Sequence, residues 1–254
     1  MGRLGLSLVE ILDLCDVAGD GTLVERARLL CGRVRPDLDA AALAAMPIGQ
    51  RDAWLLELRE QTLGPRAVAT VACPVCGRRV TVDVDVEQLR FAAAGGAAVP
   101  AVPFEQVIDG FRVMMKVPTV ADLDAAERAT SIEAARAALI AACIVQVNGP
   151  GGPMASSALS EGLLARISEV LIERDPQVEV LLDLSCAWCA ERFEAEFDIA
   201  RFFWAELSAL SAQLIDDVHV LAKAYGWDET QILALPPRRR RRYVELVRAE
   251  SAES

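Results

Sequence analysis

Two short stretches hold the residues whose types and spacing most directly imply chemistry. Cys73 and Cys76 lie in VACPVCGRRV, and Cys186 and Cys189 lie in LSCAWCAERF. A structural zinc takes four soft ligands in a tetrahedron, and each Cys-x-x-Cys turn aims two thiolates at one point. The pairs are separated by 109 residues, 77–185, against the roughly 15–20 of a compact zinc ribbon. A shared site therefore requires a long insertion between its halves. Both pairs lie between strand-like runs, as the turns of zinc ribbons do.

Two other readings compete with shared zinc. A redox dithiol places its first cysteine at a helix N-terminus, which lowers the thiol pKa. Cys76 is instead followed by GRRVTVDVDV, a strand pattern. Thiols merely filling a core would not be flanked by Arg78, Arg79, Glu191 and Arg192. The expected site is thus a closed zinc centre formed by Cys73, Cys76, Cys186 and Cys189, without an open coordination position and structural in role.

Few other residues could support catalysis. Cys15, Cys31 and Cys143 sit in helical patterns among Leu, Ala, Ile and Val and read as core thiols. His219 is the only histidine, which removes most histidine-based catalytic arrangements. It is predicted opposite the apolar stripe of its helix, facing solvent. AGDGT and GPGGP lack the strand, helix and lysine of a phosphate loop. The carboxylates of DVDVE and Asp216–Asp217 read as solvated faces. No enzymatic activity is expected.

The elements that must position the cysteines follow from periodicity. Residues 1–65 read as a helical region, with GQRDAWLLELREQTLG the clearest helix and Gly64-Pro65 its stop. The period then changes to two, making residues 66–91 the first knuckle. FAAAGGAAVPAVP reads as a linker over 92–103. Residues 104–175 form the insertion: FEQVI and FRVMMKV joined by an Asp109-Gly110 turn, helices over 119–129 and 131–146, an NGPGGPMASS loop, and a helix ending at Asp175-Pro176.

Residues 176–247 hold the second knuckle and a long helix from Asp198 to Tyr225-Gly226, with 248–254 as a flexible tail. Ile199, Phe203, Leu207, Leu210, Leu214, Val218, Leu221 and Tyr225 recur every 3.7 residues or so along that helix, close to about 3.6 per turn. The fold class is α+β, mostly helical, with a zinc-ribbon-like pair of β-knuckles and a small β-hairpin.

The chain has 254 residues, 53% of them hydrophobic, and a formal net charge of -11. That balance disfavours nucleic acid and anionic membrane surfaces and favours protein partners. The opening MGRLGLSLVEILDLC carries Glu10 and Asp13 where a signal sequence would be apolar, and no apolar run is long enough to span a membrane. A cytoplasmic location is expected.

PPRRRRR at 236–242 is a basic run in an acidic chain, and the last sixty residues concentrate the aromatics. Trp204, Trp227, Arg238, Arg239, Arg240 and Tyr243 are the candidate partner-binding residues, with an acidic protein favoured over nucleic acid. Self-association is left open.

The motifs DLSCAWCAERFEAEFDIARFFWAEL and DVHVLAKAYGWDETQILALPPRRRRRYVELV occur in order. With MPIGQRDAWLLELREQTLGPR, ACPVCG and FRVMMKVPTVADL upstream, they resemble the baseplate hub assembly chaperone family of contractile-tailed phages and phage-tail-like contractile injection systems. The resemblance covers most of residues 47–247.

It implies a non-enzymatic role in building the hub and baseplate, with hub, spike or tape-measure-type tail proteins as partners. The four cysteines match residue by residue, but CAWC is followed by Ala190 where the first pair has Gly77. The second turn therefore lacks the residue that most easily takes positive φ. A zinc-ribbon nucleic-acid-binding regulator using Arg238–Arg242 is the alternative function, and a dithiol oxidoreductase the third.

Overall fold

The computed structural model describes residues 5–91 and 101–252, so residues 92–100 of the expected linker lie outside the described residues. Four helices come first: α1 (Leu8–Ala18), α2 (Leu23–Val34), α3 (Ala40–Ala44) and α4 (Ile48–Leu63). Ser7 and Thr22 start α1 and α2, each in a reciprocal capping box with Glu10 or Glu25 three residues on.

Helix α4 is buried on nearly every side, with Trp54, Leu55, Leu56 and Leu58 in the main core. Arg59 is buried with them and holds Glu206 by two hydrogen bonds, Nε to Oε2 at 2.9 Å and Nη2 to Oε1 at 2.7 Å. Such a fork both satisfies the guanidinium and fixes the orientation of the two helices that meet there.

The first hairpin, β1 (Arg66–Ala72) and β2 (Arg79–Asp85), is antiparallel with Ala72 opposite Arg79. Its alternation places Ala67, Ala69 and Val84 in the main core while Arg79, Thr81 and Asp83 face out.

The insertion begins with β3 (Phe104–Ile108) and β4 (Phe111–Met115). Asp109 and Gly110 both have positive φ, 49° and 82°, as a two-residue hairpin turn requires. Helices α5 (Val120–Ala126) and α6 (Ile132–Cys143) follow.

The expectation of a helix to residue 146 and then a loop is corrected here. Ile144 opens β5 (Ile144–Gly149), which turns into β6 (Gly152–Met154), giving a four-stranded sheet in the order β3-β4-β5-β6. Val113 of β4 pairs with Val147, and this ladder outweighs the helical continuation of α6.

Helix α7 (Glu161–Arg174) covers one face of that sheet. Leu163, Ile167 and Leu171 meet Val113, Met115, Cys143 and Val147 in a core separate from the main one. Full burial of Ile167 alone contributes roughly 1.5–3 kcal/mol.

The insertion is tied to the start of α4 at two points, the link between β4 and α5 and its C-terminal end. The Ile48 N–H donates to the Pro118 carbonyl and the Val120 N–H to the Met46 carbonyl, each at 3.0 Å. At the far end the Gly49 N–H donates to Asp175 Oδ2 at 3.0 Å. A Cβ on Gly49 would lie 1.8 Å from Asp175 Oδ1, so this approach requires glycine. The buried Gln177 then donates to the Leu89 carbonyl and accepts from the Phe91 N–H, joining the strand exits of the first knuckle to the entry of the second.

The second hairpin is β7 (Leu181–Ser185) and β8 (Arg192–Glu196). Asp198 caps α8 (Ile199–Tyr225), which ends at Gly226 in the left-handed region with φ 68°. Its stripe is buried from Ile199 through Leu221, against α1, α2 and α4 at one end and against α9 (Glu229–Leu233) and α10 (Pro237–Ala252) at the other.

Helix α10 runs through Ala252, into the tail expected over 248–254, and residues 253–254 lie outside the described residues. No helix among the described residues is long and apolar enough to cross a membrane.

Candidate metal centre

Each Cys pair closes the tip of a hairpin in the same way. The Cys73 N–H donates to the Arg78 carbonyl and the Gly77 N–H to the Cys73 carbonyl, both at 2.9 Å. In the second knuckle the Cys186 N–H donates to the Glu191 carbonyl at 2.8 Å and the Ala190 N–H to the Cys186 carbonyl at 2.9 Å.

The residue after each second cysteine takes positive φ, 69° at Gly77 and 60° at Ala190. The second knuckle therefore keeps its geometry without glycine, at a steric cost of about 1–2 kcal/mol. Ala190→Gly is expected to stabilise the protein by about 0.5–1 kcal/mol, measured as the shift in the urea midpoint at unchanged slope. No shift, or a fall, would show that Ala190 is not strained.

The four sulfurs converge although 109 residues, 77–185, separate the pairs. Cys73 Sγ lies 3.6 Å from Cys189 Sγ and Cys76 Sγ 3.6 Å from Cys186 Sγ, so these contacts run between knuckles. All four sulfurs fall within 4.8 Å of one another. Metal–sulfur bonds of about 2.3 Å set tetrahedron edges near 3.8 Å, and the cluster matches that size.

Cys73 and Cys186 are buried at the base of the tips beside Val80 and Phe193, while Cys76 and Cys189 are exposed. Neither pair opens a helix; each leads into a strand, β2 or β8. That is the setting of a ligand turn.

Electrostatics at the cluster also favours a cation. The Cys189 N–H, followed by that of Trp188 and the neighbouring thiols, pulls the Cys186 thiol down to about 6. At Cys189 the Glu191 N–H favours the thiolate, but desolvation and the three neighbouring sulfurs outweigh it and push the thiol up to about 12. Without a cation, neighbouring thiolates repel and cannot all ionise together. A divalent ion stabilises all four in the deprotonated form.

The other thiols are core residues. Cys31 and Cys143 are buried and pushed up to about 12, chiefly by desolvation, and Cys15 is half-buried.

The structure divides the candidate partner-binding residues. Trp204 is 6% exposed, packed in the main core beneath the Arg26 guanidinium, so it is removed from the surface set. Arg240 is also removed: it is 5% exposed and its Nε donates to Asp217 Oδ2 of α8 at 3.0 Å.

Arg238 and Arg239 are exposed in the first turn of α10. Trp227 and Tyr243 are half-buried and pack with Tyr225, the Tyr225–Trp227 ring centroids lying 4.7 Å apart. His219 is exposed on α8.

One exposed aromatic escaped the sequence reading. Trp188, between the two cysteines of the second knuckle, is 53% exposed, with Arg78 of the first knuckle 5.8 Å above its ring. Its signal was an aromatic residue in the two-residue gap of a Cys-x-x-Cys turn.

The family model described as "T4 bacteriophage base plate protein" matches residues 34–204. No curated protein and no solved structure matches the chain. The matched span takes in α4, both knuckles and the whole insertion, and it ends in the first turns of α8. The chain belongs to the T4 bacteriophage base plate protein family.

Proposed function

We propose that this chain is a non-enzymatic assembly factor for the hub and baseplate of a phage-like contractile tail, held in shape by one structural zinc. It works in the cytoplasm of the cell that builds the particle, and it engages hub, spike or tape-measure-type proteins there.

One observation carries the reading. In a chain of the base plate family, two knuckles far apart in sequence bring four thiols into one tetrahedron-sized cluster. A tetrahedral four-sulfur set suits zinc or iron, and zinc supplies cross-linking without redox activity. Cys73, Cys76, Cys186 and Cys189 would each donate one thiolate. Four protein ligands leave no coordination position for water, which supports a structural role.

Two measurements test the proposal. Metal analysis of the purified chain is expected to give one zinc per chain, and a metal-free preparation with all four thiols titrating would contradict the zinc. Deleting the gene in a particle-producing strain is expected to stop complete sheathed particles. Unchanged yields of contractile particles by electron microscopy would end the assembly reading.

A further inference from the structure

Each of the two sulfur contacts in the metal centre joins an accessible cysteine to a buried cysteine of the other knuckle. Cys76 is exposed, and its Sγ lies 3.6 Å from that of Cys186, which is 2% exposed. Cys189 is exposed, and its Sγ lies 3.6 Å from that of Cys73, also 2% exposed. Each knuckle therefore supplies one accessible and one sheltered sulfur, and the contacts cross between them.

A disulfide bond is about 2.05 Å long, so each pair needs about 1.5 Å of closure. The exposed side chains can rotate toward the sheltered ones. The turns stay pinned meanwhile, by the Cys73 N–H on the Arg78 carbonyl and the Cys186 N–H on the Glu191 carbonyl. An oxidant-sensing cysteine is an accessible thiolate with a resolving thiol beside it, and both features occur here twice. Cys31 and Cys143 are buried and Cys15 is half-buried, and none of the three makes a sulfur–sulfur contact among the described residues.

We infer that the four-cysteine centre is a peroxide-reactive modification site, in which Cys76 and Cys189 take the oxidant and two disulfides, Cys76–Cys186 and Cys73–Cys189, form between the knuckles. A dithiol oxidoreductase differs, because its disulfide closes within one Cys-x-x-Cys turn. The pairing depends on the sulfur positions alone, so it stands or falls apart from the assembly role.

The Cys76 thiolate attacks one oxygen of hydrogen peroxide: the S–O bond forms, the O–O bond breaks and hydroxide leaves. The Cys186 thiolate then attacks the sulfur of that sulfenic acid. The S–S bond forms, the S–O bond breaks and a second hydroxide leaves. The two sulfurs give up one electron each and the peroxide takes both. A second peroxide does the same at Cys189 and Cys73. Zinc has no redox chemistry, so the electrons come from sulfur, and loss of the four thiolates removes its ligands.

The product keeps the hairpins joined without metal. The first link closes a loop over 77–185 and the second a loop over 74–188, so the insertion stays bracketed. Disulfides within the turns would instead free the tips from each other, because β1–β2 and β7–β8 are separate sheets. Cytosolic glutathione favours the thiolate form and excess peroxide the disulfide form, and the joint persists in both.

The test uses the full, metal-loaded chain, treated with hydrogen peroxide and then alkylated in denaturant. The mass before alkylation is expected to fall by about 4 Da, two hydrogens for each disulfide, with full release of the metal. The digest should hold peptides linking Cys76 to Cys186 and Cys73 to Cys189, with Cys15, Cys31 and Cys143 alkylated. A chelator is expected to lower the melting temperature of the reduced chain and leave that of the oxidised chain unmoved. Cys189→Ser should lose about 2 Da and form the Cys76–Cys186 link alone.

Links within the turns, links between chains, or sulfinic and sulfonic acids in place of links would overturn the inference. So would four thiols that survive a peroxide dose sufficient to oxidise free glutathione. The same crossed links in a chain purified without metal would support it while contradicting the zinc.

Discussion

Cys186→Ser is expected to abolish metal binding at the four-cysteine centre and to lower the melting temperature by about 10 °C. The two hairpins are separate two-stranded sheets with no strand pairing between them, and such hairpins are marginal alone. Their bases are anchored in the main core through Ala67, Ala69, Val84, Val180 and Phe197. At the tips the cysteines, Val80 and Phe193 meet, and Arg78 lies over the Trp188 ring.

A metal bound by the native state alone adds about 4 kcal/mol when present at a thousand times its dissociation constant. For a chain of this size each kcal/mol shifts the midpoint by about 2–4 °C. Chelation of the wild type should reproduce the fall and leave Cys186→Ser unmoved. Cys31→Ser is the control: its thiol is buried in the main core, so it should destabilise without loss of metal. Scanning calorimetry with metal analysis measures both, and a wild type whose melting ignores chelation would remove the bracing role.

Asp217→Ala should be nearly as damaging, by about 3–5 kcal/mol. Asp217 and Arg240 are 6% and 5% exposed and pair with each other across the α8–α10 contact. Removing the carboxylate leaves a guanidinium that cannot lose its proton in a site already short of partners, because Arg240 Nη1 has no hydrogen bond. Replacing both residues, Asp217→Leu with Arg240→Met, is expected to be close to neutral or stabilising, since no charge is then stranded. Hydrogen exchange should show α10 opening first in Asp217→Ala and protected in the double variant. Equal loss in both would assign the cost to lost packing and not to the stranded charge.

The cysteine cluster was legible because ligand turns carry their own local signature: two cysteines at fixed spacing between runs of period two. Helix α8 was legible for a related reason, since its apolar stripe persists over seven steps and Asp198 and Gly226 mark both ends. What the sequence hid depends on partners distant along the chain. Ile144 to Val147 prolong the apolar pattern of α6, and a short apolar run does not distinguish helix from strand. Pairing with Val113 and Met114 decides it.

Within five consecutive arginines nothing local says which one turns inward. Arg240 does so because it shares a helical face with Val244, four residues on, and meets Asp217, 23 residues earlier. Aromatic density marks a packed core as well as an interface anchor, and Trp204 lies with Phe203 in the main core.

The separation of the two cysteine pairs also has a consequence in time. During synthesis Cys73 and Cys76 leave the ribosome 109 residues before their partners, residues 77–185 lying between, a delay of about 5–20 s at ordinary elongation rates. Throughout that interval the first pair offers two of the four thiols of the cluster. The insertion, whose core is its own, can fold in the meantime. It must return to the start of α4, through Pro118 after its first hairpin and Asp175 at its end, before the second pair is in position. Closure of the four-sulfur cluster therefore reports that everything between the pairs has been made and folded, so that a chain truncated or misfolded within the insertion never acquires the finished knuckle.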